Sequence, residues 1–390
     1  MAEKDSFVAS EQTTAQPKHD GEHLNLLALA DCNNRSNNDS TTCLRGQEII
    51  RTNPMIADRP GNSVHSNYPS LEISNDAQAP KLPAGDYLEH IKSDGRNREF
   101  ELHLPRDYDG KSPLPVVYMF HGLTENMDMM REYSQMNKLA DEKGFAVAYM
   151  QADKQPFPNS LEVYSEASWN LDHGTLTPKD PSYNDLDYIK QVKNIVENEA
   201  NIDQKREYLA GFSEGGQAAS YIAQQMPHTF AGIASVHGTL IDSDPRPSKA
   251  DATPFLSILG NNDHILPEDG GAGLLLSTVN KAWSSKPLEQ AKAWAAADGA
   301  THSVEVDTPE SQTTFFTDGT QPVEQIVRLK HESPDGTRGG SHAWDGGNNG
   351  LKGEPHPDFI QWISRPVRQS DPDFDASRTV ADFLLKNSLK

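Results

Sequence analysis

Residues 207–216 read Glu-Tyr-Leu-Ala-Gly-Phe-Ser-Glu-Gly-Gly, and this stretch decides the fold class. Its first four residues predict a buried strand, and the small and apolar residues from Gln217 to Gln225 predict a helix. Between them lies a Gly-x-Ser-x-Gly pattern centred on Ser213. The glycines allow a sharp turn that lifts the serine hydroxyl above the sheet. The stretch therefore predicts a nucleophilic serine at the end of a strand; the alternative is a glycine turn with a serine cap.

Five more runs of apolar and β-branched residues predict strands on either side of this turn. All except the last are continuous rather than alternating, which is typical of buried parallel strands. Helical periodicity predicts a single crossover helix over Met129 to Leu139 and a second helix over Leu186 to Val196, capped by Asp185. This alternation predicts an α/β fold with a mostly parallel sheet and helices on both faces. The five runs are Val116 to Phe120, Phe145 to Met150, Phe230 to Val236, Phe255 to Leu259 and Gln325 to Leu329.

The first 80 residues differ in composition from the rest of the chain. They contain no Trp, and residues 33–40 form a polar run of Asn, Arg, Ser and Asp. Such a segment buries too little apolar surface to offset its chain entropy, so we expect residues 1–80 to be a largely disordered extension. Both cysteines, Cys32 and Cys43, lie in it, either as a small disulfide or as two free thiols. Residues 81–390 form the predicted folded domain, with loop excursions at about 151–181 and 241–253.

The chain is strongly acidic, since 35 Lys and Arg against 57 Asp and Glu give a net charge of −22. This charge argues against general binding to phosphate backbones or anionic membrane surfaces, so nucleic acid is not an expected partner. The longest apolar run near the start, Leu24 to Ala30, is far short of the roughly 20 residues of a membrane span. Acidic residues precede it where an export signal would be basic. We expect no membrane span and a cytoplasmic location by default; the oligomeric state stays open.

A nucleophilic serine needs a base and an acid that orients the base, and in this fold they follow in the order Ser, Asp or Glu, His. After the run Phe255 to Leu259 comes Gly-Asn-Asn-Asp-His-Ile-Leu-Pro, a turn that presents Asp263 at the carboxyl edge of the sheet. After the last run comes Gly-Gly-Ser-His-Ala-Trp-Asp-Gly, a glycine-flanked loop that carries His342. We therefore predict Asp263 as the orienting acid and His342 as the general base.

The sequence His121-Gly122-Leu123 follows the first predicted strand, where this fold places a loop that binds an oxyanion. We predict that the backbone N–H groups of Leu123 and Glu214 form the oxyanion hole and that His121 is structural. No metal site is expected, because the sequence contains no His-Glu-x-x-His motif, no cysteine pair in the predicted core and no acidic calcium loop. The other histidines considered have no partnered motif and are weak candidates for a base: His237, His264, His302 and His331.

Together these residues resemble the polyhydroxybutyrate depolymerase and feruloyl esterase family of α/β-hydrolases. The resemblance covers the chain from about residue 82 and rests on His121-Gly122, Gly211–Gly216, Gly260-x-x-Asp263-x-x-x-Pro267 and Gly339–Trp344. It implies an α/β-hydrolase catalytic domain and a serine carboxylic-ester hydrolase that acts through an acyl-enzyme without a cofactor. The expected substrates are small or oligomeric esters of polyhydroxyalkanoate type, or feruloyl and acetyl esters of polysaccharides. The family makes an extracellular location the alternative to the cytoplasm.

Three points stay open in the sequence. Trp169 and Trp344 either bind an aromatic acyl group or a sugar, or pack in the core. Glu214 departs from the family, which commonly has a small or amide residue after the nucleophile. Its carboxylate would oppose an oxyanion if it pointed at the site, and would have little effect if it pointed to solvent or to a cation. The same triad also serves α/β-fold serine peptidases, and a weakly active interaction module is the alternative from a different class.

Overall fold

The computed structural model of the chain describes residues 50–52, 81–156, 165–171, 180–240, 244–271, 286–329, 340–346 and 374–390. Cys32, Cys43 and most of the predicted extension lie outside the described residues, as do parts of both predicted loop excursions. Residues 50–52 are an exception within the extension, because they form a strand that pairs with Leu88 to His90. The rest of the largely disordered extension over residues 1–80 stays a prediction.

Eleven strands of the described chain form one sheet, in the order β1-β2-β3-β5-β4-β8-β9-β10-β13-β12-β11, and β6 and β7 form a separate hairpin. The strands are β1 (Ile50–Thr52), β2 (Gly85–Ser93), β3 (Arg96–Leu104), β4 (Leu114–Phe120), β5 (Ala146–Met150), β6 (Lys154–Pro156), β7 (Ser165–Ala167), β8 (Ile202–Phe212), β9 (Gly232–Val236), β10 (Phe255–Gly260), β11 (Ser303–Asp307), β12 (Ser311–Phe316) and β13 (Val323–Arg328). The described helices of the α type are α1 (Met127–Ser134), α2 (Met136–Lys143), α3 (Asp185–Glu199), α4 (Glu214–Gln225), α5 (Pro287–Ala297) and α6 (Ala376–Leu384).

The sheet has a parallel centre and antiparallel edges. The neighbours β5, β4, β8, β9, β10 and β13 run parallel, and they are the six strands that the sequence predicts. At one edge β1, β2 and β3 are antiparallel, and at the other β12 and β11 are. The predicted α/β class with a mostly parallel sheet is confirmed.

Each parallel strand is buried on both faces. On β4, Val116, Tyr118 and Phe120 pack with residues of α3, α4 and α5, whereas Val117 and Met119 pack with residues of α1, α2 and α6. Successive side chains of a strand point to opposite faces, so this division places three of the described helices on each side of the sheet. None of the described helices is long and apolar enough to cross a membrane.

Two details of the helices differ from the sequence prediction. The single crossover helix is divided into α1 and α2, because Gln135 takes a left-handed conformation with φ of 52°. Helix α3 is capped by Asn184, whose side chain accepts from the N–H of Leu186, and not by Asp185. The carboxylate of Asp185 instead meets the guanidinium of Arg98 at 2.6 Å, with both side chains almost fully buried.

Replacing Arg98 with methionine is expected to lower the free energy of unfolding by about 3–5 kcal/mol, because it leaves the Asp185 carboxylate buried without its counter-charge. Arg98 also lies over the ring of Tyr188 at 3.9 Å, where methionine keeps part of the apolar contact. Urea unfolding at pH 7 measures the loss of unfolding free energy. The double variant Arg98→Met with Asp185→Leu should regain most of this free energy, because it removes the buried charge. If the single and double variants lose the same amount, the uncompensated charge is not the cause.

Candidate active site

Ser213 lies at the turn between β8 and α4, in a strained backbone conformation. Its φ and ψ are 54° and −121°, a region that residues other than glycine rarely occupy, at a cost of about 1–3 kcal/mol. The surrounding backbone holds this conformation: the N–H of Ser213 donates to the carbonyl of Val236 in β9, at 2.8 Å. The predicted strand-turn-helix is therefore present, and it has the geometry of a nucleophile elbow rather than of a helix cap.

The start of α4 lies directly against the end of β4. A Cβ atom at Gly215 would overlap the backbone carbonyl of Phe120. This carbonyl belongs to a strand of the sheet and cannot rotate away as the end of a side chain could. Gly215→Ala is therefore expected to lower the free energy of unfolding by about 3 kcal/mol. Urea unfolding measures this loss, and Gly232→Ala is the matched control, because its Cβ would meet the flexible end of Leu384 at 3.1 Å. Equal losses in the two variants would contradict the backbone clash.

Ser213, His342 and Asp263 form one chain of hydrogen bonds. Nε2 of His342 lies 2.9 Å from Oγ of Ser213, and Nδ1 of His342 lies 2.6 Å from Oδ2 of Asp263. The second carboxylate oxygen, Oδ1, accepts from the N–H groups of Ile265 and Leu266 at 2.8 and 2.9 Å. The structure thus brings together the three residues predicted as nucleophile, base and orienting acid.

The electrostatics of Asp263 favour the ionised carboxylate. Burial would by itself raise the pKa of this side chain, but the nearby His342 and the ring N–H groups of His237 and His342 outweigh burial. The pKa of Asp263 is therefore held well below its ordinary value. An ionised, buried carboxylate keeps the proton of His342 on Nδ1, which leaves Nε2 to accept the proton of Ser213.

The turn that carries Asp263 and the loop that carries His342 are bound to each other through their backbones. The N–H of Asn262 donates to the carbonyl of Gly340 at 2.8 Å, and the neighbouring N–H of Asn261 donates to the carbonyl of Arg328, at the end of β13, at 3.0 Å. A Cβ at Gly260 would overlap the backbone of Gly340, so the two segments are in direct contact. The spacing between acid and base is therefore fixed by main chain rather than by side chains alone.

The predicted oxyanion loop follows β4. Its N–H groups at Gly122, Thr124 and Glu125 have acceptors: the Glu125 carboxylate, the carbonyl of Ala167 and the carbonyl of Gly122. Among the described residues, the N–H of Leu123 has no acceptor. Glu214 is the first residue of α4, where the helix dipole is positive. These positions agree with an oxyanion hole formed by Leu123 and Glu214, which stays a proposal.

The side chain of Glu214 is buried and is not directed to solvent. Its Oε1 accepts from the hydroxyl of Ser168 at 2.7 Å, and the residue is 4% exposed. The Glu214 carboxylate therefore connects the elbow to the segment after β7.

The two tryptophans predicted as possible substrate contacts are core residues. Trp169 is fully buried, contacts Phe120 and His121, and donates its indole N–H to the carbonyl of His121 at 2.9 Å. Trp344 is 2% exposed and donates its N–H to the hydroxyl of Ser377 in α6 at 2.7 Å. Neither ring offers an exposed face for stacking, so the substrate-binding interpretation is not supported for Trp169 or Trp344 and the packing interpretation describes both.

His121 fits its predicted structural role. Its Nδ1 lies 2.8 Å from the carbonyl of Gly122, and its Nε2 accepts from the N–H of Ala152 at 3.1 Å. Burial lowers the pKa of His121 to about 4, which keeps the ring neutral at physiological pH.

Sequence reasoning missed a second histidine at the triad. Nδ1 of His237, which follows β9, lies 2.8 Å from the same Oδ2 of Asp263 that His342 contacts. Within the described residues, His237, Asp263 and His342 are also the one group whose ligand atoms are close enough for a metal ion. The distances of 2.6 and 2.8 Å are those of N–H···O hydrogen bonds, and we assign them as such.

Comparison with known proteins gives a family. The Esterase family model, described as "Putative esterase", matches residues 91–334, which include Ser213 and Asp263. The chain is 32% identical over 180 residues to "Putative esterase NocK" of Nocardia uniformis subsp. tsuyamanensis, an alignment that covers 45% of this chain and 48% of that protein. It is 25% identical over 212 residues to "Probable feruloyl esterase C" of Aspergillus niger, covering 52% and 70%.

A solved structure of an acetyl xylan esterase from Aspergillus awamori is similar at 16% identity and a TM-score of 0.44, covering 62% of this chain and 92% of that one. The alignment with NocK spans about half the length of that protein. The match to the family model spans more than half of the present chain. The chain therefore belongs to the Esterase family.

Proposed function

We propose that the protein is a serine carboxylic-ester hydrolase that acts through an acyl-enzyme. The observation that carries the proposal is the continuous hydrogen-bond chain from Ser213 through His342 to Asp263, with the serine in the strained turn after β8. Family membership supports the same reaction class.

In the proposed reaction, Oγ of Ser213 attacks the ester carbonyl while Nε2 of His342 accepts its proton. The N–H groups of Leu123 and Glu214 stabilise the oxyanion of the tetrahedral intermediate, and Asp263 stabilises the imidazolium. The C–O bond to the alcohol then breaks, and His342 returns the proton to the leaving oxygen. Water, activated by His342, attacks the acyl-serine and releases the acid in the second half of the reaction.

The proposed substrates are feruloyl or acetyl esters of polysaccharides. The support is the similarity to proteins named feruloyl esterase C and to a bifunctional acetylxylan esterase/xylanase of Neocallimastix patriciarum. Polyhydroxyalkanoate-type esters are the competing class. A panel of p-nitrophenyl acetate, methyl ferulate, acetylated xylan and hydroxybutyrate oligomers separates them: a preference for hydroxybutyrate oligomers over both polysaccharide-type esters would contradict the proposed class.

The reaction class is tested with a fluorophosphonate probe, which phosphonylates an activated serine. We expect stoichiometric labelling of the intact protein, with the adduct mapped by mass spectrometry to the peptide that contains Ser213. Absence of labelling, or an adduct on another residue, would contradict the proposed nucleophile.

A further inference from the structure

The carboxylate of Asp263, the triad acid, accepts hydrogen bonds from two imidazole rings. Oδ2 of Asp263 accepts from Nδ1 of His342 at 2.6 Å and from Nδ1 of His237 at 2.8 Å. With the two backbone N–H groups on Oδ1, the carboxylate accepts four hydrogen bonds from described residues. A carboxylate has about four acceptor sites, so its capacity is fully used.

His237 is fixed in an unfavourable backbone conformation. Its φ is 50°, which is unfavourable for a residue with a side chain, and its N–H donates to the carbonyl of Ile258 in β10 at 2.7 Å. The residue is 2% exposed, and the ring lies 5.3 Å from that of His342, at an interplanar angle of 74°. The backbone therefore fixes the His237 ring edge-on beside the base.

The hydrogen-bond pattern assigns the tautomer of His237. Asp263 is an acceptor, so Nδ1 of His237 carries the proton. Nε2 of His237 is buried and has no hydrogen-bond partner among the described residues. A proton on Nε2 would be a buried donor without an acceptor, which is costly, so the hydrogen-bond pattern favours the tautomer with its proton on Nδ1.

We propose that His237 is a positioning residue, which anchors the Asp263 carboxylate in the orientation that accepts from Nδ1 of His342. The reason is geometric: the N–H of His237 holds Oδ2 while two backbone N–H groups hold Oδ1, so the carboxylate cannot rotate about its Cβ–Cγ bond. His342 then keeps the ring orientation in which Nε2 faces Oγ of Ser213. The inference rests on the proposed function, in which His342 is the base.

On the described elements, few charged groups lie near the hydrogen bond between His237 and Asp263. The elbow contributes Glu214, whose carboxylate is directed to Ser168. The loop after His342 contributes Asp345, which lies 3.9 Å from Arg328 of β13 with both buried. Phe212, the last residue of β8, contacts both imidazoles with its ring. His237 is therefore a side-chain donor placed directly on the triad acid, beside the base.

Two variants at position 237 distinguish the effect of losing the hydrogen-bond donor from the effect of changing the packing. His237→Asn keeps an N–H donor close to the position of Nδ1, and asparagine tolerates positive φ. His237→Leu has a similar shape to the asparagine variant but no donor. The readouts are kcat and KM for an ester, measured separately, and the Nδ1 proton resonance of His342 in the NMR spectrum of protein with ring-labelled histidine, assigned with His342→Gln.

We expect kcat to fall about tenfold in His237→Leu with little change in KM, and to stay within about twofold of wild type in His237→Asn. The Nδ1 proton resonance of His342 should be lost to exchange with water in His237→Leu and retained in His237→Asn. An unchanged kcat in His237→Leu, or an equal loss in both variants, would overturn the proposal. Should His237→Leu not fold, the long-range proton–nitrogen NMR spectrum of the wild type decides: a His237 ring protonated at Nε2 alone contradicts the donation to Asp263. If the wild type hydrolyses no ester, the proposed function fails while the NMR result still decides the role of His237.

Discussion

Replacing Ser213 with alanine is expected to lower kcat/KM for ester hydrolysis by roughly a million-fold. Alanine removes the attacking oxygen while leaving Cβ and the strained backbone in place, so the turn between β8 and α4 should persist. Covalent catalysis stops because the attacking oxygen, which lies 2.9 Å from Nε2 of His342, is gone. Initial rates on p-nitrophenyl acetate with enzyme in excess measure the residual activity.

The matched control for this variant is Ser303→Ala, which removes an exposed hydroxyl on the edge strand β11. We expect wild-type rates from the control and an unchanged thermal midpoint for both variants. Retention of more than about one hundredth of the activity by Ser213→Ala would show that hydrolysis does not pass through this hydroxyl.

Replacing Asp263 with asparagine is expected to lower kcat by about ten-thousand-fold without unfolding the protein. The amide oxygen can still accept from the N–H groups of Ile265 and Leu266, so the turn keeps its hydrogen bonds. The amide NH2 would face Nδ1 of His342 and favour the tautomer with the proton on Nε2, which cannot accept the proton of Ser213. Steady-state kinetics from pH 5 to 9, with circular dichroism to verify the fold, measure the effect.

Asp318→Asn is the control for the loss of a carboxylate, because Asp318 accepts from Thr301 and His302 in an exposed turn. We expect wild-type kcat from it. A loss in Asp263→Asn of less than about tenfold would contradict the role of Asp263 in orienting the base.

The parallel centre of the sheet could be predicted because its strands are buried on both faces and therefore appear as continuous apolar runs. The antiparallel strands β2 and β3 were missed, since charged residues interrupt their apolar pattern. A signal was present: Asp94 and Gly95 join the two strands with φ of 51° and 77°, the Asp-Gly pair typical of a tight hairpin. The break between α1 and α2 at Gln135 has no such signal, because glutamine does not favour positive φ.

The triad residues could be predicted because each lies in a glycine-containing segment after a predicted strand, in the chain order of this fold. His237 could not be found in this way, since its role comes from the neighbouring positions of β9 and β10 in the sheet rather than from adjacent sequence. Its position after the predicted strand Phe230 to Val236 was the available signal. The side-chain directions of Glu214 and Trp169 depend on the segment after β7, which sequence patterns did not place.

The backbone contact between Gly260 and Gly340 has a consequence for when activity arises during synthesis. Asp263 is 79 residues before His342, and Ser213 is 129 residues before it, so the base is the last member of the triad to leave the ribosome. The His342 loop needs β13 beside β10 to reach the Asp263 turn. A chain that ends before His342 therefore carries the serine and the acid but no base to activate the serine. Activity must wait until the segment with His342 has been synthesised and packed against the Asp263 turn.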